Sequence, residues 1–173
     1  GLSVAPEAIL VKNTTDAVNW ITGNEYLTNS SGWNYYLILD VGGIQQGVSS
    51  IVFNNTAPTS SLFSVGTANE TNGASADAMV AYCFAPVPGI CAIGSYVGTA
   101  SATNGPYVSL GFRPRWLLIK GVTTNTSWVV IDTERRTFNN DTDLSALYAD
   151  LTTIESAAST DEVDLLADGF KPR

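Results

Sequence analysis

The stretch LSVAPEAILVKNTTDAVNWIT, residues 2–22, aligns with LGFRPRWLLIKGVTTNTSWVV, residues 110–130, at one constant offset and without a gap. Leu2 falls on Leu110, Pro6 on Pro114, Leu10 on Leu118, Lys12 on Lys120, Thr15 on Thr123 and Trp20 on Trp128. Apolar character is kept at Val4/Phe112, Ile9/Leu117, Val11/Ile119 and Ile21/Val129. In each copy a Pro-led apolar run and a Trp-led apolar run flank a polar, turn-rich gap, which is the pattern of a β-hairpin. The copies share no reactive residue, so the repeated unit reads as a building block.

Composition agrees with a β fold. The 173 residues suffice to bury a core, and 45% hydrophobic with only 14% charged residues excludes a disordered chain. Gly, Ser, Thr and Asn separate short runs of Val, Ile, Leu, Tyr and Trp. Eight Lys and Arg against a net charge of −8 oppose nucleic-acid binding, which needs clustered cations on phosphates. No apolar run approaches the roughly 20 residues that span a bilayer, so no membrane insertion is expected. Because the sequence begins at Gly1 and not Met, an upstream segment, removed or omitted, is expected.

Outward from the hairpins, Asn34–Val41 and Val48–Phe53 read as strands around Gly42-Gly43, and Leu62–Val65 as another. Ala78–Ala85, apolar on both faces, reads as a central strand, ended by Pro86-Val87-Pro88-Gly89. Ile90–Val97 is a further strand, and Gly98–Pro106 is the natural boundary between copies. The expected organisation is a first repeat over 1–97 and a second over 98–173, packed as one compact β unit. In the second, Asp143–Ala149 suggests a short helical turn, and Val163–Leu166 a strand running into Asp168-Gly169. No counterpart of Ala78–Ala85 follows. A neighbouring subunit or sequence beyond Arg173 is expected to supply the missing strand by edge addition. The fold class expected is all-β, a jelly-roll-like β-sandwich built from two related hairpin-containing repeats.

Candidate chemistry is sparse. The absence of His removes Ser-His-Asp triads, Cys-His dyads and most zinc sites. Asp161, Glu162, Asp164 and Asp168 form an acidic run without a calcium-loop spacing and read as solvated surface. No catalytic residue, metal or cofactor is therefore expected. Cys83 and Cys91 flank the Pro-Val-Pro-Gly turn, where they are either a cross-strand disulfide or two small buried hydrophobes. Trp20, Trp116 and Trp128 read as core. Trp33, beside Gly32 and Asn34, is the tryptophan with the most loop-like setting and so the candidate for surface contact, together with Arg135 and Arg136 at the crowded end of a strand. Asn-X-Ser/Thr triplets such as Asn13, Asn54 and Asn69 follow from an Asn- and Thr-rich composition.

The stretches VAYCFAPVPG (80–89), IGSYVGTASATNGPYVSLGFRPRWLLIK (93–120), SWVVIDTERRTF (127–138), VDLLADGFKPR (163–173) and FNNTAPTSSLFSVGT (53–67) resemble an uncharacterised repeat domain of tailed-bacteriophage virion proteins, found in tail-fibre and other structural polypeptides. Cys91 departs from that pattern. The resemblance implies a non-enzymatic subunit on the exterior of the virion, a fibre, appendage or capsid decoration, assembling with copies of itself and other virion proteins. A carbohydrate- or receptor-binding module contacting a host surface glycan, or a subunit of a non-viral extracellular filament, are the alternative expectations.

Overall fold

A computed structural model describes residues 2–27, 33–47, 49–101, 104–135, 139, 146–154 and 163–173. In chain order its elements are β1 (Ala8–Asn13), β2 (Ile21–Asn24), β3 (Leu37–Ile38), α1 (Ser50–Phe53), β4 (Met79–Phe84), β5 (Val108–Ser109), β6 (Trp116–Ile119), β7 (Val129–Asp132), β8 (Leu147–Tyr148), β9 (Val163–Leu166) and β10 (Gly169–Pro172). The fold is all-β, in antiparallel sheets ordered β3-β2-β1-β4, β5-β10-β9 and β6-β7-β8.

The two hairpins share one register. Ala8 lies opposite Asn24 and Val11 opposite Ile21, while Trp116 lies opposite Asp132 and Ile119 opposite Val129, the same pairs carried forward by the sequence offset. Along β1 burial alternates, Ile9, Val11 and Asn13 turning inward and Ala8, Leu10 and Lys12 staying half-exposed, as the two-residue period of a strand requires. The correspondence extends beyond the aligned stretch. β3 adds to β2 and β8 to β7, with Leu37 opposite Thr22 and Leu147 opposite Val130. Asp40 accepts the backbone N–H of Trp20 at 3.0 Å, and Asp150 that of Trp128 at 2.9 Å. Leu39 and Ala149 in turn donate to the carbonyls of the same two tryptophans.

The chain divides into two compact units. The first comprises Gly1–Val87, Cys91–Ser95 and Gly121–Thr126, and the second Pro88–Ile90, Tyr96–Lys120 and Ser127–Arg173.

Within unit 1, the inner face of the four-stranded sheet is covered by α1 and loop residues, not by a second sheet. Ile9, Val11 and Ile21 pack with Trp33, Val52, Phe53 and Ala68. Of the expected strand Val48–Phe53, Ser50–Phe53 is a helical turn because Ser49 caps it, its hydroxyl accepting from the Ile51 N–H, and Asn54 ends it in the left-handed region at φ 52°, while Val48 lies outside the described residues. Leu62–Val65 is not a strand, Asn34–Val41 contributes only β3 and a bridge from Tyr36 to Gln46, and Ile90–Val97 only a bridge from Cys91 to Val87. Gly23 is where α1 meets the sheet: a Cβ there would lie 2.5 Å from the Phe53 ring. The equivalent residue in the second copy is Ile131, a buried side chain of the unit 2 core.

In unit 2 the two three-stranded sheets share one core. Leu117 and Ile131 come from one sheet, and Val163, Leu165 and Phe170 from the other. The expected helical turn before Ala149 is instead β8, with 143–145 outside the described residues.

Candidate functional site

Three sheets have six outer edges, and a bare edge is a row of unsatisfied donors and acceptors that recruits another strand. Three of the six, β3, β5 and β8, are two residues long and offer little to pair with. The β9 edge is sealed by a side chain. Asn139 Oδ1 accepts the Leu165 N–H at 2.8 Å and its Nδ2 donates to the Leu165 carbonyl at 2.9 Å, so one carboxamide takes the place of a peptide group. β9 is therefore closed, by β10 on one side and Asn139 on the other.

That leaves β4 and β6. β1 uses the backbone of Ile9 and Val11 towards β2, as the Glu25 to Glu7 bond fixes, and that of Ala8, Leu10 and Lys12 towards β4. By the same phase, set by the Thr133 to Arg115 bond, Trp116 and Leu118 point their backbone groups away from β7. Among the described residues no strand lies there, whereas the equivalent edge of β1 carries β4 over all six of its residues. Among the described residues, the counterpart of β4 expected in the second copy is thus missing from the flank of β6. β4 itself is not central as expected. It is the last strand of its sheet, and Met79, Ala81 and Cys83 point their backbone groups outward. Neither MVAYCF nor WLLI carries a charge or a proline, the residues that usually guard an edge. Large apolar side chains stand in solvent on both, Tyr82 at 51% exposure, Phe84 at 44% and Trp116 at 56%.

The sequence-chosen contact residues behave differently. Trp33 is not a surface aromatic. It is 3% exposed, packed edge-on against Phe53 with ring centroids 5.5 Å apart, because loops form the second layer of unit 1. It contributes to the wall of a cleft of about 400 Å³ with Glu25, Asn55 and Pro58, but presents almost no face to a ligand. Trp116, expected in the core, is exposed because it is in phase with Leu118 and not with the inward Leu117 and Ile119. Trp128 is buried and Trp20 only half-buried, stacking on Tyr82 at 6.2 Å.

Arg135 is committed within the chain: its Nε and Nη2 donate to Asp132 Oδ2 at 2.8 and 2.5 Å, holding that carboxyl below the usual range. The charged pair left in solvent at this strand end is Arg115 with Glu134, at 3.1 Å. Arg136 lies outside the described residues.

Both cysteines are free thiols. The ladder sets Cys91 opposite Val87, while Cys83 lies opposite Ile9, so no register brings the two sulfurs across from each other. Burial pushes the Cys83 thiol up, towards the unreactive form. Of the acidic run, Asp161 and Glu162 lie outside the described residues, Asp164 is held by Arg173 at 2.6 Å, and Asp168 accepts from the Tyr107 hydroxyl. Among the described residues no three His, Cys, Asp or Glu side chains gather as metal ligands, and no helix is long and apolar enough to cross a membrane. Asn13 is fully buried, which excludes it as a glycan acceptor.

Fold and edges together define an all-β chain in which, among the described residues, the two longest bare edges are apolar strands. The chain belongs to the family described as a domain of unknown function (DUF7483), which matches residues 1–173. No curated protein and no solved structure matches it.

Proposed function

We propose that this chain is a non-enzymatic structural subunit of the exterior of a tailed-phage particle, a fibre, appendage or decoration that assembles with copies of itself and with other virion proteins. The observation that carries the reading is the pair of related sheet units in one of which, among the described residues, no strand takes the outermost place, leaving an uncharged edge of the kind proteins conceal within assemblies. The motif resemblance over most of the sequence supports the virion setting. The shared core between the two sheets of unit 2 supports the sandwich arrangement expected for such subunits. The buried Trp33 gives no support to a sugar-stacking platform.

Antibodies raised against the chain and viewed by immunogold microscopy on purified particles test the proposal directly. Regular labelling of an external structure is expected. Particles that carry none of the chain by mass spectrometry overturn it.

A further inference from the structure

The first copy shows what belongs on the bare flank of β6. Its counterpart β1 carries β4 there, antiparallel, Leu10 facing Tyr82 and Lys12 facing Val80. β4 in turn has a sequence apolar on both faces, as strands buried within sheets have, yet only one of its two edges is paired. Among the described residues the chain thus owns one strand short of a neighbour and one edge short of a strand. Shortness or the Asn139 clamp disqualifies every other sheet edge among the described residues.

From this juxtaposition we infer that the outer edge of β4 in one copy pairs with the bare edge of β6 in a second copy, joining the sheets as β3-β2-β1-β4-β6-β7-β8. The inference rests on the self-assembly reading above and assigns its surface. In the joined sheet β4 lies between β1 and β6, two strands related by the repeat. The outward backbone groups of Met79, Ala81 and Cys83 meet those of Trp116 and Leu118, and the exposed Tyr82, Phe84 and Trp116 side chains come under cover. Each copy presents one β4 and one β6, so the contact is heterologous: it closes a ring or extends a filament.

The arrangement is tested by complementation between two edge variants of the 173-residue chain. Ala81→Pro removes an outward N–H from β4, and Leu118→Pro removes one from β6, both at positions that do not donate to the existing ladders. Analytical ultracentrifugation of the wild type is expected to show concentration-dependent species beyond the dimer. Each variant alone is expected to be monomeric, while a mixture gives a 1:1 dimer and nothing larger, through the intact β6 of the first and the intact β4 of the second. That dimer also shows that both variants fold. Should a proline variant fail to fold, Ala81→Lys and Trp116→Lys keep every backbone donor, place charge on the same edges and are expected to complement in the same way. A monomeric wild type overturns the inference, as do single variants that still dimerise, the signature of β4 with β4 or β6 with β6. Assembly by another surface on labelled particles leaves the virion reading intact and removes this one. Complementation by a chain absent from particles does the reverse.

Discussion

Asn13 is a fully buried side chain at the end of β1, and all of its hydrogen-bonding capacity is spent on holding unit 1 together. Its Oδ1 accepts the Thr15 and Asp16 N–H groups at 2.9 and 3.0 Å, shaping the turn to β2. Its Nδ2 donates to the Asn69 carbonyl and to Asp77 Oδ2, both at 3.0 Å, tying that turn to the loop before β4. Asn13→Ala deletes four bonds at about 1 kcal/mol net each. Water reaching the vacated site recovers part of this, so a loss of about 3 kcal/mol from unit 1 is expected, a large fraction of the 5–15 kcal/mol that typically holds a domain. Asn13→Asp is the sharper perturbation. It keeps both acceptor bonds but sets a buried carboxylate against Asp77 Oδ2, so one of the two must take up a proton. Its loss at neutral pH should match or exceed that of the alanine variant and shrink on acidification. Urea unfolding followed by tryptophan fluorescence measures this, with Trp116 and Trp128 replaced by Phe so that Trp20 and Trp33 report on unit 1. A loss below about 1 kcal/mol for Ala, or an Asp variant indifferent to pH, would refute the reasoning.

Gly23→Ala should cost unit 1 about 1–3 kcal/mol through collision with Phe53, and Phe53→Leu should relieve part of that cost; additive losses in a double-mutant cycle would show that the two do not meet. Asn139→Ala should bare the Leu165 N–H and C=O, weaken unit 2 by about 1–2 kcal/mol and speed amide exchange at Leu165, which unchanged exchange would contradict. Hydrogen bonds from Arg135 depress the Asp132 carboxyl in the folded state, so its stabilisation is complete above the unfolded value of about 3.9 and is lost as pH falls through the folded one. Asp132→Asn should therefore flatten the acid limb of a stability–pH curve for unit 2 and leave its alkaline limb unchanged.

The repeat made the hairpins and their common register legible, since an ungapped match leaves turn length and face assignment no freedom. It also exposed the absent strand, although not which edge lacks it: that depends on Asn139, whose carboxamide closes β9 across a distance in sequence that no local pattern encodes. Val48–Phe53 was misread because a short apolar run suits a strand and a buried helical turn equally well. The Ser49 and Asn54 bracket is the signal that distinguishes them. Trp33 and Trp116 exchanged roles for two reasons. A loop flanked by Gly and Asn can be the second layer of a core, and strand phase, with Leu117 and Ile119 inward, already turned Trp116 outward.

Unit 1 includes Gly121–Thr126, and the Gln45 N–H bonds to the Val122 carbonyl at 2.9 Å. During synthesis, β1 to β4 leave the ribosome well before that segment, so unit 1 must wait, incomplete, while the first strands of unit 2 emerge. A nascent chain arrested at residue 97 would hold a unit with one piece missing, and a gene divided at the apparent repeat boundary would encode two halves, the first unable to finish itself. A cut after Thr126 fares no better, since it parts β6 from β7, so no single expression boundary or proteolytic nick leaves both units whole.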